Sequence, residues 1–276
     1  MDRIHNIAGG DGLMIHVREW GNASGPAILF IHGWSQSLLC WTKQFHSELA
    51  KDFRLIALDL RGHGRSAAPA EVDHYNQTQL WADDIKAIID TLELNNAVLS
   101  GWSYGGLVIG DYLRTYGTAQ LGAINFVGAT PALNENALGT LIGPGFTDNF
   151  AACTDPDLEI SIPGIIKFLH DCFEIPPTAE EFSTMVGFNC VVSPITRANL
   201  AARDVENADV FADIDVPVLV THGDTDRVVL PDAGRYFLEH CQTARASWYE
   251  GIGHAPFFED ARRFNREIAD LAHEVN

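Results

Sequence analysis

Basic residues, paired cysteines and long apolar runs are what this 276-residue sequence has least of. Lys and Arg number 18 against 37 Asp and Glu, for a formal net charge of -19. Without a basic concentration, nothing releases counterions from a phosphate backbone, so nucleic acid is excluded as an expected partner. The acidic balance itself is assigned to solubility rather than to chemistry. The five cysteines, at 40, 153, 172, 190 and 241, are odd in number, scattered, and lack CxxC spacing. That argues against a disulfide framework and against a zinc site, and predicts buried free thiols. No apolar stretch reaches membrane-spanning length. "MDRIHNIAGGDGLMIHVREW" lacks the charged start, apolar centre and small-residue cleavage site of a secretory leader, which predicts a cytoplasmic protein without membrane association. No repeat or low-complexity tract is present.

Nearly half of the residues, 46%, are apolar, enough for a substantial single core. Short apolar runs predict buried strands at 13–20, 26–33, 53–60, 96–101, 123–129, 216–223 and 244–251. Several are apolar at consecutive positions, as in strands of a parallel sheet covered on both faces. The first two, separated by "GNASG", are expected to pair antiparallel. Helical patterns alternate with these runs. Over 76–94, Leu80, Ile85, Ile88, Ile89 and Leu92 share a stripe, which leaves Asp83 and Asp84 on a solvated face. A second helix, 107–117, ends at Gly117. The alternation predicts a doubly wound α/β core made of 1–133 and 210–276. Residues 134–209 break the rhythm with "IGPG", "SIPG" and "EIPPTAEEF", predicting an inserted helical cap. Phe168, Phe173, Phe182, Met185 and Phe188 would be its core or the pocket wall, core being favoured for any one of them.

"GWSYGG" at 101–106 places Ser103 between a strand and a helix in a G-x-S-x-G pattern. Such a turn lifts the serine hydroxyl clear of the sheet and turns the Tyr104 N–H and the helix N-terminus toward a developing oxyanion. The alternative is an ordinary hydroxyl in a tight connection, and the pattern alone does not choose. A serine needs a base, and His254, in the loop after the last predicted strand, has the required position. His5, His16, His46, His63, His74, His170, His240 and His273 lie in turns, an early strand or helical patterns, so surface or capping roles are expected for them. An acid must orient the base, and both Asp224 and Asp226 follow the strand 216–223. Residue chemistry leaves the two open. A second oxyanion donor is expected from the Trp34 N–H in "FIHGWSQ", with the indoles of Trp34 and Trp102 as candidate pocket walls. His32 has no accompanying ligands at metal spacing, so no metal or cofactor is expected.

The stretches "HGW" (32–34), "DLRGHGRS" (59–66), "GWSYGG", "HGDTDRVV" (222–229) and "GIGHAP" (251–256) resemble the α/β-hydrolase fold superfamily over essentially the whole chain. Within it the sequence is most similar to the cofactor-free bacterial haloperoxidases, or perhydrolases, and their esterase relatives. The resemblance implies that the second aspartate of H-G-D-x-D, Asp226, is the triad acid. Two departures accompany it. Ser35 stands where strong perhydrolases carry proline, and Trp102 and Tyr104 replace the aromatic and methionine that flank their nucleophile. The implied function is hydrolysis of a small, moderately apolar ester or lactone through an acyl-enzyme. Peracid formation, carbon–carbon bond hydrolysis and cofactor-free oxygenation use the same triad, and a ligand receptor can retain the fold without turnover.

Overall fold

The computed structural model describes residues 2–276. Eight strands form one sheet: β1 (Arg3–Ala8), β2 (Met14–Gly21), β3 (Ala27–Ile31), β4 (Arg54–Leu58), β5 (Ala97–Trp102), β6 (Leu121–Val127), β7 (Val218–Gly223) and β8 (Ala244–Tyr249), in the order β1-β2-β4-β3-β5-β6-β7-β8. The pairs β1/β2 and β2/β4 are antiparallel and the other five are parallel. Every residue of β3, β5, β6 and β7 is buried. Consecutive apolar side chains demand cover on both faces, and helices between parallel strands supply it.

One expectation about the sheet's start is corrected. The runs at 13–20 and 26–33 do not pair with each other. β2 pairs with β1 and β4, while β3 lies between β4 and β5. The five uninterrupted apolar residues of β3 suit a central position. β2 carries Glu19, whose carboxylate takes Arg54 Nε on β4 at 3.0 Å and lies 3.4 Å from Arg3 on β1, an arrangement that ties these three outer strands together. β1, which no sequence pattern indicated, is an edge strand with one fully buried position, Ile7.

Asp84 is the second correction of substance. It lies on the helix Thr78–Thr91 but is 1% exposed, because Arg61 is buried beside it. Arg61 donates to both carboxylate oxygens, at 2.8 and 2.9 Å, and the Gly10 N–H adds a third bond at 2.9 Å. The ion pair therefore joins the helix, the loop after β4 and the turn after β1. Between β6 and β7 the helices Pro144–Cys153, Leu158–Asp171, Ala179–Val191 and Pro194–Ala201 follow one another. They bring Phe146 and Phe168 over the carboxyl ends of the central strands, where the ring of Trp34 meets both.

Candidate active site

Ser103 occupies the turn between β5 and the helix Gly105–Tyr116 with φ +54, a left-handed conformation uncommon for a side-chain-bearing residue. Backbone bonds hold it there: its N–H donates to Val127 O at 3.0 Å, and its carbonyl accepts from Gly106 and Thr130 at 2.9 and 3.0 Å. Strain at a fully braced turn marks a position kept for its geometry.

Asp226 follows β7 and His254 follows β8, and the structure brings them together with His254 Nδ1 2.8 Å from Asp226 Oδ2. Asp226 is buried. Burial raises its pKa, but the charge of His254 and hydrogen bonds from His222 and His254 outweigh that and bring it down to about 2. The carboxylate therefore stays ionised, and His254 donates from Nδ1, which leaves Nε2 as its basic nitrogen. Asp224, the other candidate, is exposed and accepts the Gly251 N–H at 2.7 Å, clipping the loop that leads to His254. Among the described residues no hydrogen bond joins the Ser103 hydroxyl to His254. In enzymes without substrate this contact is often long.

The loop after β3 lies against Ser103. A Cβ on Gly33 would sit 2.9 Å from Ser103 Cβ, so only glycine lets the chain come this close. Gly33 O accepts from His32 Nδ1 at 2.8 Å and from Gln36 N at 3.3 Å. All peptide bonds described are trans, and in a trans unit the N–H points opposite to the carbonyl. The Trp34 N–H is thus turned away from His32. Neither it nor the Tyr104 N–H donates to any acceptor among the described residues, although Trp34 and Tyr104 are each only 5% exposed. Two unpartnered backbone donors on buried residues beside a serine are able to bind an anion.

Two histidines hold this loop: His32, which lies in it, and His63, whose part in it sequence reasoning missed. Ser35, at φ +61, donates its N–H to His63 Nε2 at 3.1 Å, and His63 Nδ1 donates to Arg61 O at 2.9 Å. His32 Nε2 likewise accepts the Leu60 N–H at 3.0 Å. Each ring has one protonated and one bare nitrogen, and each of its bonds requires the neutral form. Burial lowers His32 to about 4; burial, with the neighbouring His32 second, lowers His63 to about 3. His63 and His16 are therefore buried rather than surface residues, contrary to expectation. The signal available was position: His32 and His63 lie in "HGW" and "DLRGHGRS".

A narrow cavity, about 430 Å³ with the space at its mouth that is open to solvent, lies against Ser103. Its walls include Trp34, Tyr104, Leu107, Leu133, Ile142, Phe146, Phe168, Val228 and Val229, with Thr130 as a polar exception. Trp34 lies on the wall, its indole N–H bound to Arg197 O at 3.0 Å. Trp102 does not line this cavity. Its indole N–H donates to His254 O at 2.8 Å and its ring packs on His254 and Phe257, so it braces the histidine from behind. Of the five cap residues singled out, Phe168 lines the cavity, Met185 and Phe188 are buried, Phe173 packs on Phe258, and Phe182 stacks on His170. Among the described residues, no cluster of three or more His, Cys, Asp or Glu side chains is spaced to hold a metal ion.

Residues 28–267 match the alpha/beta hydrolase family. A non-heme haloperoxidase of Rhodococcus erythropolis is 27% identical, over 95% of this chain and 97% of that protein. A bifunctional esterase/perhydrolase of Acinetobacter calcoaceticus is 27% identical, over 94% and 95%. Among solved structures, an esterase from Rhodococcus sp. ECU1013 is 34% identical and superposes with a TM-score of 0.93, over 99% of both chains.

Proposed function

We propose, from the premise that this chain belongs to the alpha/beta hydrolase family, that it is a serine hydrolase which cleaves small, moderately apolar esters or lactones through an acyl-enzyme. The observation that carries this reading is the pair of unpartnered N–H groups, of Trp34 and Tyr104, on either side of a serine held at φ +54. Donors fixed before reaction stabilise a tetrahedral oxyanion without reorganising, each contributing about 10²–10³ in rate.

In the proposed cycle Ser103 Oγ attacks the carbonyl carbon as its proton passes to His254 Nε2. Asp226 stabilises the imidazolium through Nδ1–H, and the oxyanion accepts from Trp34 and Tyr104 N–H. His254 returns the proton to the leaving oxygen, and the carbon–oxygen bond breaks. Water then attacks the acyl carbon with His254 as base, releasing the acid and restoring Ser103.

The narrow, almost wholly apolar cavity supports a short, uncharged acyl group. Residues 134–209 act as a cap over 1–133 and 210–276, contributing Ile142, Phe146 and Phe168 to the wall. Hydrolysis is favoured over peracid formation by Ser35. Its φ of +61 lies outside the range near −65° that proline requires, and its N–H is committed to His63. This oxyanion loop therefore differs from one that carries proline at that place. The five unpaired thiols fit a reducing, cytoplasmic compartment.

The deciding experiment is covalent labelling with a fluorophosphonate, run beside turnover of p-nitrophenyl esters, lactones and peracid formation. Ser103→Ala is expected to abolish both labelling and ester turnover. Labelling undiminished in Ser103→Ala, or turnover retained by it, refutes the acyl-enzyme.

A further inference from the structure

His222, the penultimate residue of β7, is completely buried. Its Nε2 lies 2.9 Å from Val229 O and 3.3 Å from Asp226 Oδ2. Both neighbours are acceptors, so Nε2 carries the proton and shares it between them. Nδ1 is buried without a hydrogen-bond partner. It faces Gly234, where an added Cβ would lie 3.1 Å from it. A proton on Nδ1 would be a buried donor lacking an acceptor among the described residues, an unfavourable arrangement. One form satisfies the site: neutral imidazole with Nε2–H.

Four donors therefore surround Asp226. Val228 and Val229 N–H bind Oδ1 at 2.9 and 3.0 Å, His254 Nδ1–H binds Oδ2 at 2.8 Å, and His222 Nε2, hydrogen-bonded to Val229 O, approaches Oδ2 to 3.3 Å. A carboxylate oxygen that already accepts one hydrogen bond is a weaker partner for the next. We propose that His222 is a positioning residue which fixes the Asp226 carboxylate in rotation and moderates the hydrogen bond that Asp226 accepts from His254. This rests on the reading of Asp226 and His254 as acid and base of the hydrolase.

The other titratable groups facing Asp226 do not compete for this role. The backbone carbonyl of Cys172 accepts the His254 N–H at 2.9 Å, and its thiol is pushed up by burial first and then by the charges of Asp226, Asp171 and Glu259, and stays protonated. Arg227 is exposed and turned to Asp171 at 3.4 Å. Glu259 is occupied by the backbone N–H groups of Glu174, Ile175 and Gly253.

The test measures kcat and KM for p-nitrophenyl acetate across the acid limb of the pH profile in the parent, His222→Leu, His222→Gln and His254→Ala. His222→Leu is expected to lower kcat about tenfold, the scale of losing a group that orients a catalytic ligand, with KM unchanged and the acid limb of kcat/KM moved to higher pH. His222→Gln supplies an amide N–H and should return the limb toward its parental place. A limb unmoved in His222→Leu overturns the proposal, since a structural role alone would lower activity without shifting it. The unaltered enzyme gives a second reading independent of variant folding: ¹⁵N NMR should find His222 protonated at Nε2 only, and a proton on Nδ1 at neutral pH overturns it. Turnover retained by His254→Ala refutes the triad itself, and that outcome is separate from the other two.

Discussion

Acidification should destabilise this protein through the two histidines that hold the loop after β3. His32 and His63, 0% and 1% exposed, are lowered from 6.5 to about 4 and about 3. Between those values and 6.5 the unfolded chain binds protons that the folded chain refuses. The stability they protect is complete above pH 6.5 and is lost as pH falls toward their folded values. At pH 5 each unfolded imidazole gains RT ln(1 + 10^1.5), about 2 kcal/mol, or about 4 kcal/mol for the pair. Asp226, at about 2, adds nothing until the pH is well below 5. The 37 carboxylates complicate the raw curve, because their protonation relieves self-repulsion. A variant isolates the histidine contribution. His63→Gln can still accept from Ser35 N–H and donate to Arg61 O, but does not titrate. Urea denaturation followed by tryptophan fluorescence, at pH 8, 7, 6 and 5, should show the parent losing about 2 kcal/mol more than His63→Gln between pH 8 and pH 5. Parallel curves would refute the reasoning, since they would mean that the folded state protonates His63 as readily as the unfolded one.

Three further outcomes follow from the site and its surroundings. Asp226→Asn should cost on the order of 10⁴ in kcat through loss of the correct His254 tautomer, whereas Asp224→Asn, which alters only the acceptor for Gly251 N–H, should leave kcat near the parental value; steady-state kinetics on both separates the two aspartates. Asp84→Ala should destabilise the fold by about 3–5 kcal/mol by stranding the buried Arg61, measured as a lower urea midpoint. Phe168→Leu opens the cavity beside Trp34 and should shift the ratio of kcat/KM for longer over shorter acyl esters upward by roughly tenfold, the scale of adding or removing a methylene in an apolar pocket.

The central sheet was legible because β3 is apolar throughout and β5, β6 and β7 each carry apolar residues at consecutive positions, a pattern that strands covered on both faces need. The edge was not. β1 buries only Ile7 fully, so "RIHNIA" carries no strand signature, and its pairing with β2 depends on Glu19 meeting Arg3 and Arg54. The residues proposed as nucleophile, acid and base were legible because each must follow a strand at the sheet's carboxyl edge. What a charged residue does on a helix was less so. Periodicity placed Asp84 opposite the apolar stripe, and nothing local announces that Arg61, from another segment, makes that face an interior. The cavity walls at Ile142, Phe146, Val228 and Val229 were missed for the same reason, being assembled from two separated loops and a helix.

The same long-range dependence explains why this site has so little polar freedom. Asp226 is surrounded by four donors, His254 is fixed at its ring, its N–H and its carbonyl, and His32 and His63 spend every ring nitrogen on the backbone of Gly33, Ser35, Leu60 and Arg61. A buried polar group left half satisfied would let the loop relax, and the Trp34 N–H would then turn to a protein acceptor. Saturating the neighbours is what keeps that N–H, and the one on Tyr104, unpartnered. The reserve of unmade hydrogen bonds lies beside the hydroxyl of Ser103, where the proposed reaction develops its negative charge.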